Sequence, residues 1–229
     1  LYKNATDSKG IANFKLDERL MHESARELLH QAAEFGINAA TEAVIQAGLN
    51  EGGLDPERVG VCLGVGMFSP HFDWYCRVML DEMFQDPSIK NHAKYWPNAL
   101  TNVVAAIAKA QGGSTTVHTA CASSGQSLGE AFELVAHGDL DVVVTGGADS
   151  MINPFHLAGF SLLGALSKRN DDPAKASRPF DRARDGFVLG EGACMLVFES
   201  EEHARRRGAK ILGEVCGYGV TASAYRITD

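Results

Sequence analysis

The sequence lacks several features that would each indicate a function. Its longest near-apolar runs, such as LDVVVTGGA at 140–148, are far too short to cross a bilayer, so we expect no membrane partner. Lys and Arg number 21 against 29 Asp and Glu, for a net charge of −8. Phosphate binding needs clustered positive charge, and we therefore expect no nucleic-acid partner either.

Cysteines are few, and their spacing does not fit a metal site. The five lie at positions 62, 76, 121, 194 and 216, with no Cys-x-x-Cys pair and no Cys/His group at zinc spacing. We expect no metal. An odd count without a disulfide framework suits a reducing cytoplasm. Cys62, Cys194 and Cys216 lie in apolar strand-like runs, which favours core positions for all three.

Helix and strand patterns alternate along the chain, which predicts a single layered α/β domain with a largely buried sheet. Helices are predicted over 20–49, with Gly48 as C-cap, over 97–113, and from about Ser123 to His137. Strands are predicted at RVGVCLGVGM, STTVHTA, DVVVTGGAD and GACMLVFES, with ILGEVCGYGVTA at 211–222 as the last strand.

Cys121 lies in the stretch TVHTACASSGQS, where a short strand leads into a helix. The residues around it are small, so a substrate could approach its sulfur closely. A strand-to-helix turn exposes such a side chain, the partial positive charge of the helix N-terminus stabilises a thiolate, and the Cys121 N–H could stabilise an oxyanion. A small apolar residue that fills a core gap remains the alternative interpretation.

A thiolate nucleophile needs a base, and no histidine of the sequence has a convincing spacing to Cys121. His118 lies three residues earlier on an extended strand, so its side chain points to the opposite face. His137 lies about 15 residues along the helix from Cys121, roughly 20 Å away at 1.5 Å per residue. His156 lies in a loop and stays a candidate.

Two long segments carry a resemblance to a known family. STTVHTACASSGQSLGEAFELVAHGDLDVVVTGGADS and FSLLGALSKRNDDPAKASRPFDRARDGFVLGEGACMLVFES closely resemble the β-ketoacyl-acyl-carrier-protein synthases, especially the synthase II type and the type II polyketide ketosynthases. The similarity runs from Gly113 to Asp229 and more weakly from about Arg19. It implies a thiolase-like fold, with residues 1–229 as an incomplete N-terminal half that lacks the first strand and the C-terminal half.

The resemblance also implies a reaction. Cys121 would accept an acyl chain from the phosphopantetheine of an acyl carrier protein, and a decarboxylated malonyl group would then attack this thioester. No cofactor beyond that phosphopantetheine is expected, and the partners would be the carrier protein and a second copy of the chain, paired through STTVH. Phe160 and Val65 match acyl-pocket positions of the family, and Thr228 matches a position that contacts pantetheine.

Three points qualify this interpretation. The family's catalytic histidines and lysine belong to the C-terminal half, so this chain alone is expected to be inactive. A non-catalytic acyl-binding or chain-length-setting subunit is the alternative, although such relatives typically lack the cysteine. A cysteine acyl hydrolase would need His156 as partner.

Charged residues in RPFDRARDGFVLGEG are expected to form a buried loop that braces the site: Arg178, Asp181, Asp185 and Glu191.

Overall fold

A four-stranded mixed sheet forms the centre of the molecule. The computed structural model describes residues 31–66 and 98–225, and of Gln31 it describes the backbone alone. Strand β1 (Val59–Val65) is parallel both to β2 (Ser114–Val117) and to β3 (Val142–Ser150), and β4 (Glu191–Glu199) is antiparallel to β3. The spatial order β2-β1-β3-β4 places β1 and β3 in the centre, with β2 and β4 as the edges.

Helices cover both faces of this sheet. The described α-helices are α1 (Gln31–Gln46), α2 (Ala99–Ala108), α3 (Ser123–Ala136), α4 (Pro154–Leu162) and the short α5 (Glu201–Arg206), and the first three pack on the sheet. Parallel strands need crossover connections, and α2 and α3 lie in the connections from β1 to β2 and from β2 to β3. In the part of the chain that the structure describes, no helix has the length and hydropathy to cross a membrane.

Strand β1 is buried at every position because its alternate residues pack on opposite layers. Val61 and Leu63 belong to the larger core cluster, together with Ile37 and Val44 of α1. Cys62 points the other way, into a smaller cluster that includes Ala131 of α3. The result is three layers, with α1 and α2 on one side of the sheet and α3 on the other.

Most of the predicted elements are confirmed, including the strands at β1, β3 and β4 and the helix α3. The helix predicted over 97–113 is shorter, because Lys109 takes a left-handed conformation (φ 53°) before the Gly-Gly pair is reached. Ser200 caps α5 by accepting a hydrogen bond from the His203 N–H. The fold prediction therefore holds for the element order.

Two predictions about the C-terminal part were wrong. Residues 211–222 do not form a strand; the segment is irregular and exposed. Cys194 and Cys216 are exposed rather than buried. Cys194 lies on the face of β4 that α3 leaves open, because α3 packs mainly over β1 and β3.

Candidate active site

Cys121 lies in a tight turn between the end of β2 and the start of α3. The turn is a single 3-10 segment, Ala120–Ala122, and α3 begins at the next residue. Cys121 is exposed, as a nucleophile must be and a gap-filling cysteine would not be. The interpretation of Cys121 as a core residue is therefore wrong for the described part of the protein.

The turn is strained at the residue before the cysteine. Ala120 has φ +51°, in the left-handed region that costs a residue with a Cβ about 1–2 kcal/mol. Ser123 bridges this residue: its Oγ accepts a hydrogen bond from the Thr119 N–H at 2.8 Å and donates one to the Ala120 carbonyl at 2.6 Å. We call these two bonds the Ser123 clamp.

The N-terminus of α3 rests directly on glycines of the central strands. Gly64 of β1 and Gly147 of β3 are partners in the sheet register, and we call this pair the glycine seat. A Cβ at Gly64 would overlap backbone atoms of Ser123 and Ser124, and one at Gly147 would overlap the Ser124 hydroxyl. Only glycine therefore permits α3 to begin at this height above the sheet.

The buried stripe of α3 consists of small residues. Ser123, Ser127 and Ala131 are at most 2% exposed and follow one another at intervals of four. The Ser127 hydroxyl lies 2.8 Å from the Gly146 carbonyl oxygen of β3 and contributes a buried hydrogen bond between helix and sheet. The larger apolar residues Phe132 and Leu128 of the same helix are only half-buried.

The four described histidines contact groups other than Cys121. The His118 ring lies 2.7 Å from the Val65 carbonyl oxygen, which ties the end of β2 to the end of β1. His137 contacts Glu133 of the same helix, and His203 contacts Glu199 at the end of β4. His156 is 4% exposed and contacts Asn153, and burial lowers the pKa of its imidazole. No hydrogen bond in the described structure joins His156 to Cys121, so the structure gives the acyl hydrolase alternative no support.

Cys62 of β1 is buried, whereas Cys121 is exposed. Its side chain is fully buried under α3, with its sulfur 3.7 Å from a Glu130 carboxylate oxygen. Burial first, and then the negative charge of Glu130, raise the pKa of the Cys62 thiol to about 12. Cys62 is therefore a protonated, unreactive core residue near neutral pH, as the sequence predicted.

The three predicted substrate residues fall in different places. Phe160 of α4 is half-buried and packs edge-on against Phe187, with ring centroids 5.3 Å apart. Val65 is 1% exposed at the end of β1, and strand alternation places its side chain on the α1 side, away from α3. Thr228 lies outside the described residues. No hydrogen bond or ring contact in the described structure joins Phe160 or Val65 to Cys121 itself.

The charged loop is more open than predicted. Asp181 and Asp185 are exposed rather than buried, and Arg178 bonds only to the Lys175 carbonyl. Asp185 nevertheless has a structural role: its carboxylate accepts hydrogen bonds from the Ser167 hydroxyl and the Lys168 N–H, which lower its pKa. The loop thus fastens the segment after α4 without being buried itself.

Glu191 of the same loop contacts the Ser150 hydroxyl at 2.8 Å, which joins the start of β4 to the end of β3. Among the described residues, no group of three or more His, Cys, Asp or Glu side chains lies close enough together to hold a metal ion. The described site therefore consists of one exposed thiol on a strained, hydrogen-bonded turn at the N-terminus of a helix.

The chain belongs to the β-ketoacyl synthase family: the model of the β-ketoacyl synthase N-terminal domain matches residues 3–204. The predicted resemblance is thereby confirmed.

Known relatives agree with this assignment. The granaticin polyketide putative β-ketoacyl synthase 1 of Streptomyces violaceoruber is 40% identical over 214 residues, which are 90% of this chain and 51% of that protein. The 3-oxoacyl-[acyl-carrier-protein] synthase 2 of Vibrio cholerae is 34% identical over 223 residues, or 96% of this chain and 53% of that protein. The chain thus spans about half the length of the curated relatives it matches.

A solved structure confirms the predicted thiolase-like fold. It is a type II polyketide acyl-carrier protein in complex with its ketosynthase bound to the hexaketide, and it aligns with a TM-score of 0.77 at 28% identity. The alignment covers 87% of this chain and 50% of that one. The α/β unit described above therefore corresponds to half of a ketosynthase.

Sequence reasoning identified Cys121 but missed the residues that hold it in place. Ser123 and the glycine seat are plain small residues whose role depends on contacts between distant segments. A signal did exist: glycines inside buried strands indicate close approach of another backbone, and small residues at intervals of four in α3 indicate the element that approaches.

Proposed function

We propose that the protein carrying this chain is a condensing enzyme of fatty acid or type II polyketide synthesis. The observation that carries the proposal is the exposed Cys121 on its turn, in a chain of the β-ketoacyl synthase family. A chain-length-setting subunit would not need this thiol, so its presence and exposure favour the enzyme over the non-catalytic alternative.

The reaction would proceed in two steps. In the first, the Cys121 thiolate attacks the carbonyl carbon of an acyl thioester on the phosphopantetheine of a carrier protein; the new S–C bond forms, the old one breaks, and the phosphopantetheine thiolate takes up a proton. In the second, malonyl-carrier protein loses carbon dioxide, and the electron pair left on its α-carbon attacks the acyl-Cys121 carbonyl. The Cys121 thiolate leaves, and the chain is two carbons longer.

Proton transfer and decarboxylation would use groups outside the described residues. The four described histidines contact other groups, and His156 is buried. By the family resemblance, the two catalytic histidines and the lysine lie in the other half of the enzyme. Phe160 and Val65 remain proposed acyl-pocket residues and Thr228 a proposed pantetheine contact. Free cysteines without a disulfide framework support a cytoplasmic location.

Large exposed apolar side chains support the view that this α/β unit is covered by other parts of a larger protein. Leu162 is 90% exposed, its neighbour Leu163 is 67% exposed and Phe180 is 98% exposed, and large apolar side chains left open in this way favour an interaction surface. Strand β2 is an edge of the sheet with exposed residues at Ser114 and Thr115. We propose that this edge pairs with its copy in a homodimer, since an edge strand offers unpaired backbone groups.

The test replaces Cys121 in the full-length protein. Cys121→Ala is expected to abolish the acyl-enzyme adduct that intact-mass spectrometry detects after incubation with an acyl-carrier protein thioester, while malonyl decarboxylation stays measurable. Cys216→Ala, at another exposed cysteine, is the matched control and should acylate like the wild type. An undiminished adduct in Cys121→Ala would refute the assignment.

A further inference from the structure

The Cys121 turn contains backbone strain that needs a cause. Ala120 keeps φ +51° although it has a Cβ. A residue held in the left-handed region costs of order 1–3 kcal/mol and persists only where the surrounding structure fixes it. The contacts that fix Ala120 therefore also fix the peptide that joins it to Cys121.

The Ser123 clamp supplies these contacts on both sides of the strained residue. The Ser123 Oγ accepts a hydrogen bond from the N–H of Thr119, the residue before Ala120. It also donates a hydrogen bond to the carbonyl oxygen of Ala120 itself. The Ser123 side chain is 2% exposed, so both bonds are shielded from water. The Ser123 backbone N–H also donates to the same Ala120 carbonyl. Three hydrogen bonds from one residue thus hold the turn.

The clamp determines where the Cys121 N–H points. The Ala120 carbonyl and the Cys121 N–H belong to one peptide unit, and no described peptide bond is cis. In a planar trans peptide these two groups point in opposite directions. With the carbonyl drawn toward Ser123, the Cys121 N–H points away from α3, and it donates no hydrogen bond to another described residue.

We propose that Ser123 is a positioning residue that aims the Cys121 N–H at the substrate carbonyl oxygen. This inference rests on the proposed acyl transfer to Cys121. When the Cys121 sulfur attacks the thioester, the carbonyl electron pair moves to oxygen, and the N–H stabilises this oxyanion until the pair returns and expels the phosphopantetheine thiolate. A donor fixed before the reaction is effective because no reorganisation is needed at that moment.

Ser127 is the matched control for a purely structural effect. It is also a buried serine of α3, one turn further on, and its hydroxyl also lies within hydrogen-bonding distance of two backbone carbonyls, those of Ser124 and Gly146, each at 2.8 Å. Ser127→Ala therefore removes a comparable hydroxyl from the same helix. It leaves the bonds around Ala120 intact.

The experiment compares two reactions of Cys121 in the full-length protein. One is acyl transfer from hexanoyl-N-acetylcysteamine, which passes through an oxyanion. The other is alkylation by iodoacetamide, in which sulfur displaces iodide from a saturated carbon without any oxyanion. Mass spectrometry of the Cys121 peptide measures both rates, and the buried Cys62 should stay unmodified throughout. The unfolding midpoint of each variant in urea reports its stability.

We expect Ser123→Ala to slow acyl transfer at least about tenfold. Complete loss of one oxyanion donor lowers the rate by about 10²–10³, and a Cys121 N–H that is no longer held in direction would still stabilise the oxyanion in part. Alkylation should change less than threefold. Ser127→Ala should leave both rates within threefold of the wild type, and Ser123→Thr, which keeps the hydroxyl, should restore acyl transfer.

Several results would overturn the inference. It fails if the rate of acyl transfer in Ser123→Ala is within threefold of the rate in Ser127→Ala. It also fails if the rates of acyl transfer and of alkylation in Ser123→Ala fall by the same factor. If Ser123→Ala does not fold, Ala120→Gly/Ser123→Ala replaces it, because glycine adopts φ +51° without strain; a rate equal to that of Ala120→Gly alone overturns the inference. Failure of the wild type to acylate Cys121 would instead refute the proposed function.

Discussion

Replacing Gly64 by alanine tests whether the glycine seat sets the position of the nucleophile. Gly64 lies on the face of β1 that supports the first residues of α3, and an added Cβ would overlap the Ser123 carbonyl group and the Ser124 nitrogen. These are backbone atoms, so no side-chain rotation can relieve the overlap. The N-terminus of α3, and the Cys121 turn with it, must move.

The size of the effect follows from this geometry. Ordinary contact between carbon atoms is about 3.5–4.0 Å, so α3 must retreat from β1 by about 1 Å. Overpacking of this kind costs about 2 kcal/mol in the free energy of unfolding. A displacement of about 1 Å at a reacting group can cost about 100-fold in rate. We expect Gly64→Ala to lower acyl transfer to Cys121 by about that factor while the protein stays folded.

Gly60→Ala is the matched control in the same strand. Gly60 lies on the same face of β1, four residues earlier, or about 13 Å away at 3.3 Å per residue. A Cβ there would meet chiefly the end of the Leu140 side chain, which can rotate. Gly60→Ala should therefore alter stability in urea denaturation but leave the acylation rate of Cys121 within about threefold of the wild type.

The assay measures the rate of acyl-enzyme formation at 25 °C with a saturating short-chain acyl thioester, in the full-length protein. If Gly64→Ala and Gly60→Ala acylate at equal rates while both are folded, the seat supports the fold without setting the nucleophile. That result would contradict a role of Gly64 in positioning Cys121.

Two further predictions concern stability and assembly. Burial raises the pKa of Glu199, but hydrogen bonds from Arg207 (2.6 Å) and His203 (2.6 Å) outweigh this and hold the pKa below its usual value. Glu199 therefore contributes stability that is present above its unfolded pKa of about 4.3 and is lost as pH falls through the lower folded value. Glu199→Gln should thus lower the free energy of unfolding by about 3 kcal/mol at pH 7, with a smaller difference at pH 4 in urea titrations; an equal difference at both would contradict this. If β2 pairs with its copy, the full-length protein should have the mass of a dimer by light scattering, and a monodisperse monomer would contradict the pairing.

The layered fold could be predicted because its signals are local. The run VGVCLGV in β1 is apolar on both faces, which is typical of a strand covered on both sides, and all seven residues are buried. The signal that ends α3 is likewise local: Gly138 has φ +76°, a conformation that glycine adopts readily. Such elements depend on neighbouring residues, and the sequence displays those directly.

The wrong predictions share a different physical cause. Residues 211–222 have the apolar pattern of a strand, but a strand also needs hydrogen bonds to a neighbouring strand, and this segment does not pair with either described edge strand, β2 or β4. Cys194 has a strand-like context, yet its burial depends on how far α3 extends over β4. Both outcomes depend on contacts between distant segments, which composition and periodicity do not encode.

The nucleophile site combines both kinds of information. The exposed thiol of Cys121 is a local consequence of a strand that turns into a helix, and that part could be read from the sequence. The direction of its N–H depends on Ser123, and the height of α3 depends on glycines that lie 59 positions before and 24 positions after Ser123. Because Cys121, the proposed nucleophile, is held in place by small residues at Ser123, Gly64 and Gly147, substitutions of these residues should slow acyl transfer while leaving the thiol in place.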